Sequence, residues 1–328
     1  MQQIDKIAIH NLFGIEGLDI AWYGIIIAAG IVIGVAVAVW QAKKRGYTSE
    51  LIFDLMIVAL PLAIVGARLY YVAFEWDYYS QHPEKIIEVW NGGIAIYGAV
   101  IGAVVAALIV CKWRKFPLGR MLDIAVPGLI LGQAIGRWGN FVNQEAFGAA
   151  VTDPAMQYFP FAVYVENVFV GGETLNGWFY ATFFYESMWN LGVFVLLLWY
   201  AKRAKHDGNV FAMYLIGYGI GRLWIEGVRI HTLTMWPGGM PVSQFLSIVL
   251  IAIGVIYILV MRKRGKPNMV YEGRYLHGWL EEHEEEEKEL KKAAREQRKK
   301  DKDAQKIKNA SAKVKEKAAE GKTEEAGE

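Results

Sequence analysis

The sequence predicts an all-α polytopic membrane protein with seven transmembrane helices, a small extracytoplasmic head domain and a charged cytoplasmic tail. Three observations predict it. Long apolar runs recur from residue 1 to about 262, within a chain of 328 residues that is 54% hydrophobic. Basic residues crowd alternate connections between those runs. Beyond about Glu281 the composition turns abruptly to Glu, Lys and Ala.

Spanning a hydrocarbon core of about 30 Å takes roughly 20 apolar residues of helix. Two runs, Ile20 to Trp40 and Gly92 to Cys111, carry no charge, and Val242 to Met261 is the last. Between them, Leu51 to Phe74, Met121 to Phe141, Phe183 to Ala201 and Asn209 to Gly227 carry one or two charges each. In lipid only helices or closed barrels satisfy every backbone polar group, and these lengths are helical.

Orientation follows from the connections. Lys43, Lys44 and Arg45 fall in the first, Lys112, Arg114, Lys115 and Arg120 in the third, Lys202, Arg203 and Lys205 in the fifth, and Arg262, Lys263 and Arg264 at the start of the tail. The second and sixth connections have a single basic residue each, and the fourth has none. Positive-inside bias then places the N-terminus outside and the C-terminus in the cytoplasm, as an odd number of spans requires. The N-terminus shows no basic segment leading into an apolar core and cleavage site, so no cleaved signal peptide is expected.

Residues 1–265 read as one transmembrane domain, with the head domain at about 142–177. That stretch holds the β-prone run FPFAVYV, and Gly171-Gly172 and Asn176-Gly177 read as turns. Residues 266–328 read as the tail. From Glu281 it has almost no apolar residues, cannot bury a core, and is expected to be a solvated helix or disordered.

Composition also excludes functions. Net charge is +2, which offers no footprint for nucleic acid. The single cysteine, Cys111, excludes disulfides within the chain and reads as a small apolar helix residue. No metal-ligand cluster is visible, and no metal or cofactor is expected. His10, His82, His206, His231, His277 and His283 all fall outside the spans.

Charge inside the spans carries the functional signal. An Arg at the centre of a span costs at least about 2.5–3.5 kcal/mol. Arg68, Arg137 and Arg222 stand in the final third of the second, fourth and sixth runs, which all run from inside to outside. Three guanidinium groups at one depth suggest an anion pocket, since Arg forks match phosphate oxygens. A phospholipid head group is the obvious anion there. The competing reading pairs each Arg with a carboxylate: Glu75 for Arg68, Glu145 for Arg137, Glu226 for Arg222. Arg137 and Asn140 share a helix face, as do Tyr218, Arg222 and Glu226. Gly136 and Gly139 leave room for close approach, and Asn143 and Glu145 follow where the span should end. Asp123, one turn into its run, reads as a structural pair or helix-start group.

The run Gly136-Arg137-Trp138-Gly139-Asn140-Phe141-Val142-Asn143-Gln144-Glu145-Ala146-Phe147-Gly148 resembles the signature of the bacterial prolipoprotein diacylglyceryl transferase family. Trp22-Tyr23-Gly24, Gly66-Ala67-Arg68-Leu69 and the stretch Tyr218 to Arg229 resemble its other motifs, in the family's order, over about residues 10 to 265. The resemblance implies a bacterial plasma-membrane enzyme with seven spans. Its substrates would be phosphatidylglycerol and preprolipoproteins whose signal peptides carry a lipobox cysteine. It would transfer the diacylglyceryl group to that thiol, form a thioether and release glycerol 1-phosphate, the first step of lipoprotein maturation. It further implies that Arg137 and Asn140 lie at the phospholipid head group, with Glu145 and Gly148 shaping the site beside them and Asn143 alongside. Arg222 would be the second essential cation, with Tyr218 and Glu226 as neighbours, and Tyr23 would line the lipid pocket; Arg68 is placed in the substrate site by the three-arginine anion pocket itself.

Two motifs depart from the family's pattern. Gly92-Gly93-Ile94-Ala95-Ile96-Tyr97-Gly98 carries Tyr97 where a histidine proposed as base is often found. The fifth-span motif, often opening His-Pro, reads Tyr180-Ala181-Thr182-Phe183-Phe184-Tyr185-Glu186. Tyr97 reads either as an interfacial aromatic or as a group whose phenol hydrogen-bonds the substrate or relays the thiol proton.

Overall fold

The computed structural model describes residues 5–17, 19–170, 173–229, 239–264, 268, 270–279 and 291–297. The chain divides into two compact units, Met1–Tyr271 and Glu272–Glu328. In the second unit, residues 291–297 are helical. The rest of the tail from Glu281 lies outside the described residues, as does most of the sixth connection.

The first unit is built on long helices: α1 (Trp22–Lys44), α2 (Glu50–Phe74), the single turn α3 (Trp76–Tyr79), α4 (Ile96–Trp113), α5 (Leu118–Asn143), α6 (Thr182–Ala201), α7 (Asn209–Glu226) and α8 (Val242–Arg264). Among the described residues, six helices are long and apolar enough to cross a membrane: α1, α2, α4, α5, α6 and α8. The chain is a multi-pass α-helical membrane protein. Its outer faces are apolar, with Val32, Ile57 and Leu69 exposed, whereas α1 buries Gly30, Gly34 and Ala38. This inside-out pattern suits a solvent of lipid tails, where small residues let helices approach closely. A Cβ on Gly98 of α4 would stand 2.1 Å from the carbonyl oxygen of Gly66 on α2, so only glycine permits that crossing.

Helix boundaries depart from the sequence reading at two instructive places. The third run begins as loop, because Gly92 and Gly93 have φ of 85° and 69°, and α4 starts only at Ile96. The fourth run continues past Phe141 through Asn143, where Gln144 turns left-handed and donates its N–H to the carbonyls of Asn140 and Phe141.

Two small sheets complete the unit. β1 (Ile7–Ile9) pairs with β2 (Ile20–Ala21) ahead of α1, and β3 (Ala162–Val170) pairs antiparallel with β4 (Glu173–Tyr180) between α5 and α6. Phe147, Val163, Val165, Phe179 and Phe183 form the core of this hairpin, which packs on the start of α6. Asn176-Gly177 is not a turn. Gly177 lies inside β4 opposite Val165, at φ 135°, beside a register shift. Gly171-Gly172 lies outside the described residues.

One end of α5 and α7 is locked by a closed set of polar contacts. Both carboxylate oxygens of buried Asp123 accept backbone N–H groups at the start of α7, from Gly208 and Phe211, each at 2.8 Å. A helix start leaves such donors without intrahelical partners, so Asp123 caps α7 from a neighbouring helix. Arg120 forks onto Asp207, with Nε–Oδ1 at 3.0 Å and Nη2–Oδ2 at 2.8 Å, and donates to the Tyr47 hydroxyl at 2.8 Å.

Candidate active site

At the opposite end of α5, α6 and α7 lies a chain of alternating charge. Arg137 Nη2 on α5 meets Glu186 Oε1 on α6 at 2.5 Å. Glu186 Oε2 meets Arg222 Nη1 on α7 at 3.1 Å. Arg222 Nη2 meets Glu226 Oε2 one turn on at 2.7 Å, and Arg229 Nη1 meets the same oxygen at 3.4 Å. The carboxylates are the shut members: the Glu186 and Glu226 side chains are 5% and 6% exposed, against 24% for Arg137 and 13% for Arg222. A guanidinium has five N–H donors. Among the described residues, Arg137 donates to Asn140 and stands in ion-pair contact with Glu186, whereas Arg222 donates to both Glu186 and Glu226. Each retains donors for an anion.

Local packing fixes this chain. Ser187 Oγ donates to the Ala134 carbonyl at 2.9 Å, and Trp189 Nε1 donates to the Gly217 carbonyl at 2.8 Å. Ser187 and Trp189, one and three residues beyond Glu186, thus tie α6 to α5 on one side and to α7 on the other. A Cβ on Gly221 would fall 2.3 Å from the Trp189 ring. Glycine at the residue before Arg222 therefore permits the close approach of the indole.

A second set of polar groups adjoins Arg137. Its Nη1 donates to Asn140 Oδ1 at 3.3 Å, and Asn140 Nδ2 donates to Glu145 Oε1 at 2.7 Å. Tyr23 of α1 packs its ring on Gly139, within electrostatic reach of Arg137 and Glu145. Tyr218 stacks on Tyr214 at 5.7 Å, one turn before Arg222, within electrostatic reach of Arg137 and Glu186. Gly148 donates its N–H to the Tyr180 carbonyl and bridges Arg229, where a Cβ would lie 2.6 Å from Tyr180 Cβ. Asn143 is the last residue of α5, half-buried. Tyr97 opens α4, 42% exposed, its ring tilted against Tyr70 at 6.1 Å and within electrostatic reach of Tyr218.

Arg68 departs from the expected trio. Its guanidinium is consumed by backbone: Nε donates to Ile86, Nη1 to Gly92 and Gly93, and Nη2 to Lys85. The positive φ of the two glycines turns their carbonyls onto it. A cavity of about 290 Å³ opens beside it, walled by Tyr71, Tyr78, Tyr79 and Lys85, and its walls include no member of the charge chain. The carboxylate pairings also differ from the sequence expectation. Arg222 does pair with Glu226, but the ion-pair partner of Arg137 is Glu186, Glu145 holds Asn140 instead, and Arg68 takes carbonyls in place of Glu75. Sequence reasoning left Glu186 and Arg229 without roles. Two signals marked Glu186: it is the one charge in an otherwise apolar run, and it closes the fifth-span motif.

These features define a class: a multi-pass membrane protein with a polar, arginine-rich site enclosed by three of its helices. Residues 10–260 match the family model described as prolipoprotein diacylglyceryl transferase. Curated relatives named phosphatidylglycerol–prolipoprotein diacylglyceryl transferase include a Bacillus velezensis protein, 41% identical over 260 residues (79% of this chain, 94% of the relative). A Synechocystis protein is 42% identical over 261 residues (77% and 90%), and one from Streptococcus pyogenes is 45% identical over 249 (75% and 93%). The chain belongs to the prolipoprotein diacylglyceryl transferase family.

Proposed function

We propose that this protein transfers the diacylglyceryl group of phosphatidylglycerol to the lipobox cysteine thiol of preprolipoproteins, the first step of bacterial lipoprotein maturation. The observation that carries this reading beyond family membership is the pair of partly open guanidiniums, Arg137 and Arg222, braced by one carboxylate and left with spare donors.

The chemistry fits those donors. The peptide sulfur attacks a glyceryl carbon, a C–S bond forms, the C–O bond to phosphate breaks, and glycerol 1-phosphate leaves. Negative charge grows on the bridging oxygen as that bond lengthens. Fixed guanidinium donors in a water-poor site stabilise such charge strongly. The same cations favour ionisation of a thiol whose ordinary pKa is about 8.5. The nucleophile comes from the substrate, so no enzyme cysteine is needed. Asn140 and Glu145 orient Arg137 at the head group, and Asn143 and Gly148 flank them. Tyr218 and Glu226 orient Arg222. Tyr23 lines the lipid pocket, and Tyr97 hydrogen-bonds the substrate or relays the thiol proton. Arg68 holds the loop at 85–93 at the border of the substrate site, its donors given to backbone carbonyls, and does not seat the head group.

In this reading α7 is the seventh span. It is less apolar than the other six because Arg222 and Glu226 serve the site. The N-terminus is extracytoplasmic, residues 142–177 form a head domain at the outer surface of the plasma membrane, and residues 266–328 form a cytoplasmic tail. Purified protein given phosphatidylglycerol and a lipobox peptide tests the function. Thioether-linked peptide and glycerol phosphate are expected in equal amounts; lipid binding without turnover would make the protein a lipid-binding scaffold instead.

A further inference from the structure

Glu186 is the centre of the charge chain, yet it is the member least able to touch a ligand. Its side chain is 5% exposed, and its two oxygens are turned to two different arginines. Ser187 and Trp189 pin its helix to both neighbours. It cannot follow either guanidinium without breaking those ties. The chain it centres holds three cations, Arg137, Arg222 and Arg229, and two carboxylates, Glu186 and Glu226. Its net charge is one positive. Glu145 stands outside it, reached through the Asn140 amide.

We propose that Glu186 is a fixed internal counter-ion that sets the charge of the anion seat, so that the seat suits a phosphodiester monoanion and does not over-bind a phosphomonoester dianion. This deepens the proposed function and rests on it for the identity of the two anions. The lipid substrate is a diester with one charge. The leaving group is a monoester, whose second ionisation near pH 6 gives it about two charges at pH 8. Two uncompensated guanidiniums in a low-dielectric site would favour the dianion, because charge interactions there are several-fold stronger than in water. Product would then outcompete substrate. A buried carboxylate between the two arginines cancels one positive charge where it matters most, and holds their spacing. Because Glu186 is shut away, ligands meet the guanidiniums and not the carboxylate. It is a positioning and specificity residue, not a catalytic one.

The test compares two soluble anions on the purified full-length protein at pH 8: glycerol 1-phosphate, the dianion, and glycerophosphoglycerol, the monoanion. Dissociation constants come from calorimetry and need no turnover. The parent protein is expected to bind the two within about threefold of each other. Glu186→Gln keeps the shape and removes the charge; it should shift the ratio at least tenfold toward the dianion. Glu186→Asp keeps the charge and should restore the parental ratio even where both affinities fall. An unchanged ratio in Glu186→Gln overturns the proposal, as does an equal shift in Glu186→Asp, which would make the effect one of shape. If Glu186→Gln does not fold, the parent still decides: a tenfold preference for the dianion contradicts a charge-balanced seat. Turnover with phosphatidylglycerol and peptide is measured alongside. Its absence refutes the proposed function, whereas the anion ratio alone judges Glu186.

Discussion

The two ends of the α5–α7 pair carry similar residues put to opposite uses. At one end Arg120 forks onto Asp207 and Tyr47, while Asp123 spends both oxygens on the start of α7. At the other, three arginines share two carboxylates, and Arg137 and Arg222 keep donors in hand. Arg68 is a third case: backbone carbonyls take four of its N–H bonds. The lesson is that a charged residue in a span does not by itself mark a site. What separates a brace from a ligand seat is whether its hydrogen-bonding capacity is already used.

The contrast can be broken first at the open end. Arg137→Ala and Arg222→Ala should each lower peptide turnover at least a hundredfold, about 2.7 kcal/mol of barrier, while the protein still inserts and stays soluble in detergent. Lys at either place should rescue poorly, because a point charge cannot fork onto phosphate. Near-parental turnover in Arg137→Ala would remove the distinction between the two ends.

At the closed end the pattern should invert. Asp123→Ala leaves the first N–H groups of α7 without their cap and should cost about 1–2 kcal/mol of stability, read as a lower melting temperature. Turnover per folded molecule should stay within about threefold of the parent. A large loss of turnover with unchanged melting would show that the closed end also serves the chemistry.

Tyr97 sharpens the boundary of the open site. Tyr97→Phe should lower turnover about tenfold, near 1.4 kcal/mol, and Tyr97→His should keep substantial activity. If the Phe variant matches the parent, the hydroxyl has no role. The smallest effect is expected at the tail: a stop after Leu280 should leave turnover of the inserted protein unchanged, and its loss would give that segment a function.

Much of the fold could be read from the chain because lipid imposes a simple rule: uninterrupted apolar helix of a set length. Each of the seven apolar runs holds a helix, and Arg137–Asn140 and Arg222–Glu226 pair along a single helix as their spacing predicts. What stayed hidden depends on partners from elsewhere. Glu186 earns its position from two other helices, and nothing in its own run points to either. Arg68 is satisfied by carbonyls, which every residue has and no sequence displays. Asp123 caps a helix start 85 residues away. The late start of α4 follows from Gly92 and Gly93 serving Arg68 and not the helix.

The most direct test of the central claim is binding of phosphatidylglycerol itself, measured by native mass spectrometry or calorimetry on three proteins in detergent: the parent, Arg137→Ala/Arg222→Ala, and Arg68→Ala. The double variant is expected to lose affinity at least tenfold, about 1.4 kcal/mol, while Arg68→Ala stays within about threefold of the parent. A double variant that binds the lipid as tightly as the parent, or an Arg68→Ala protein that loses as much as the double, would contradict that claim.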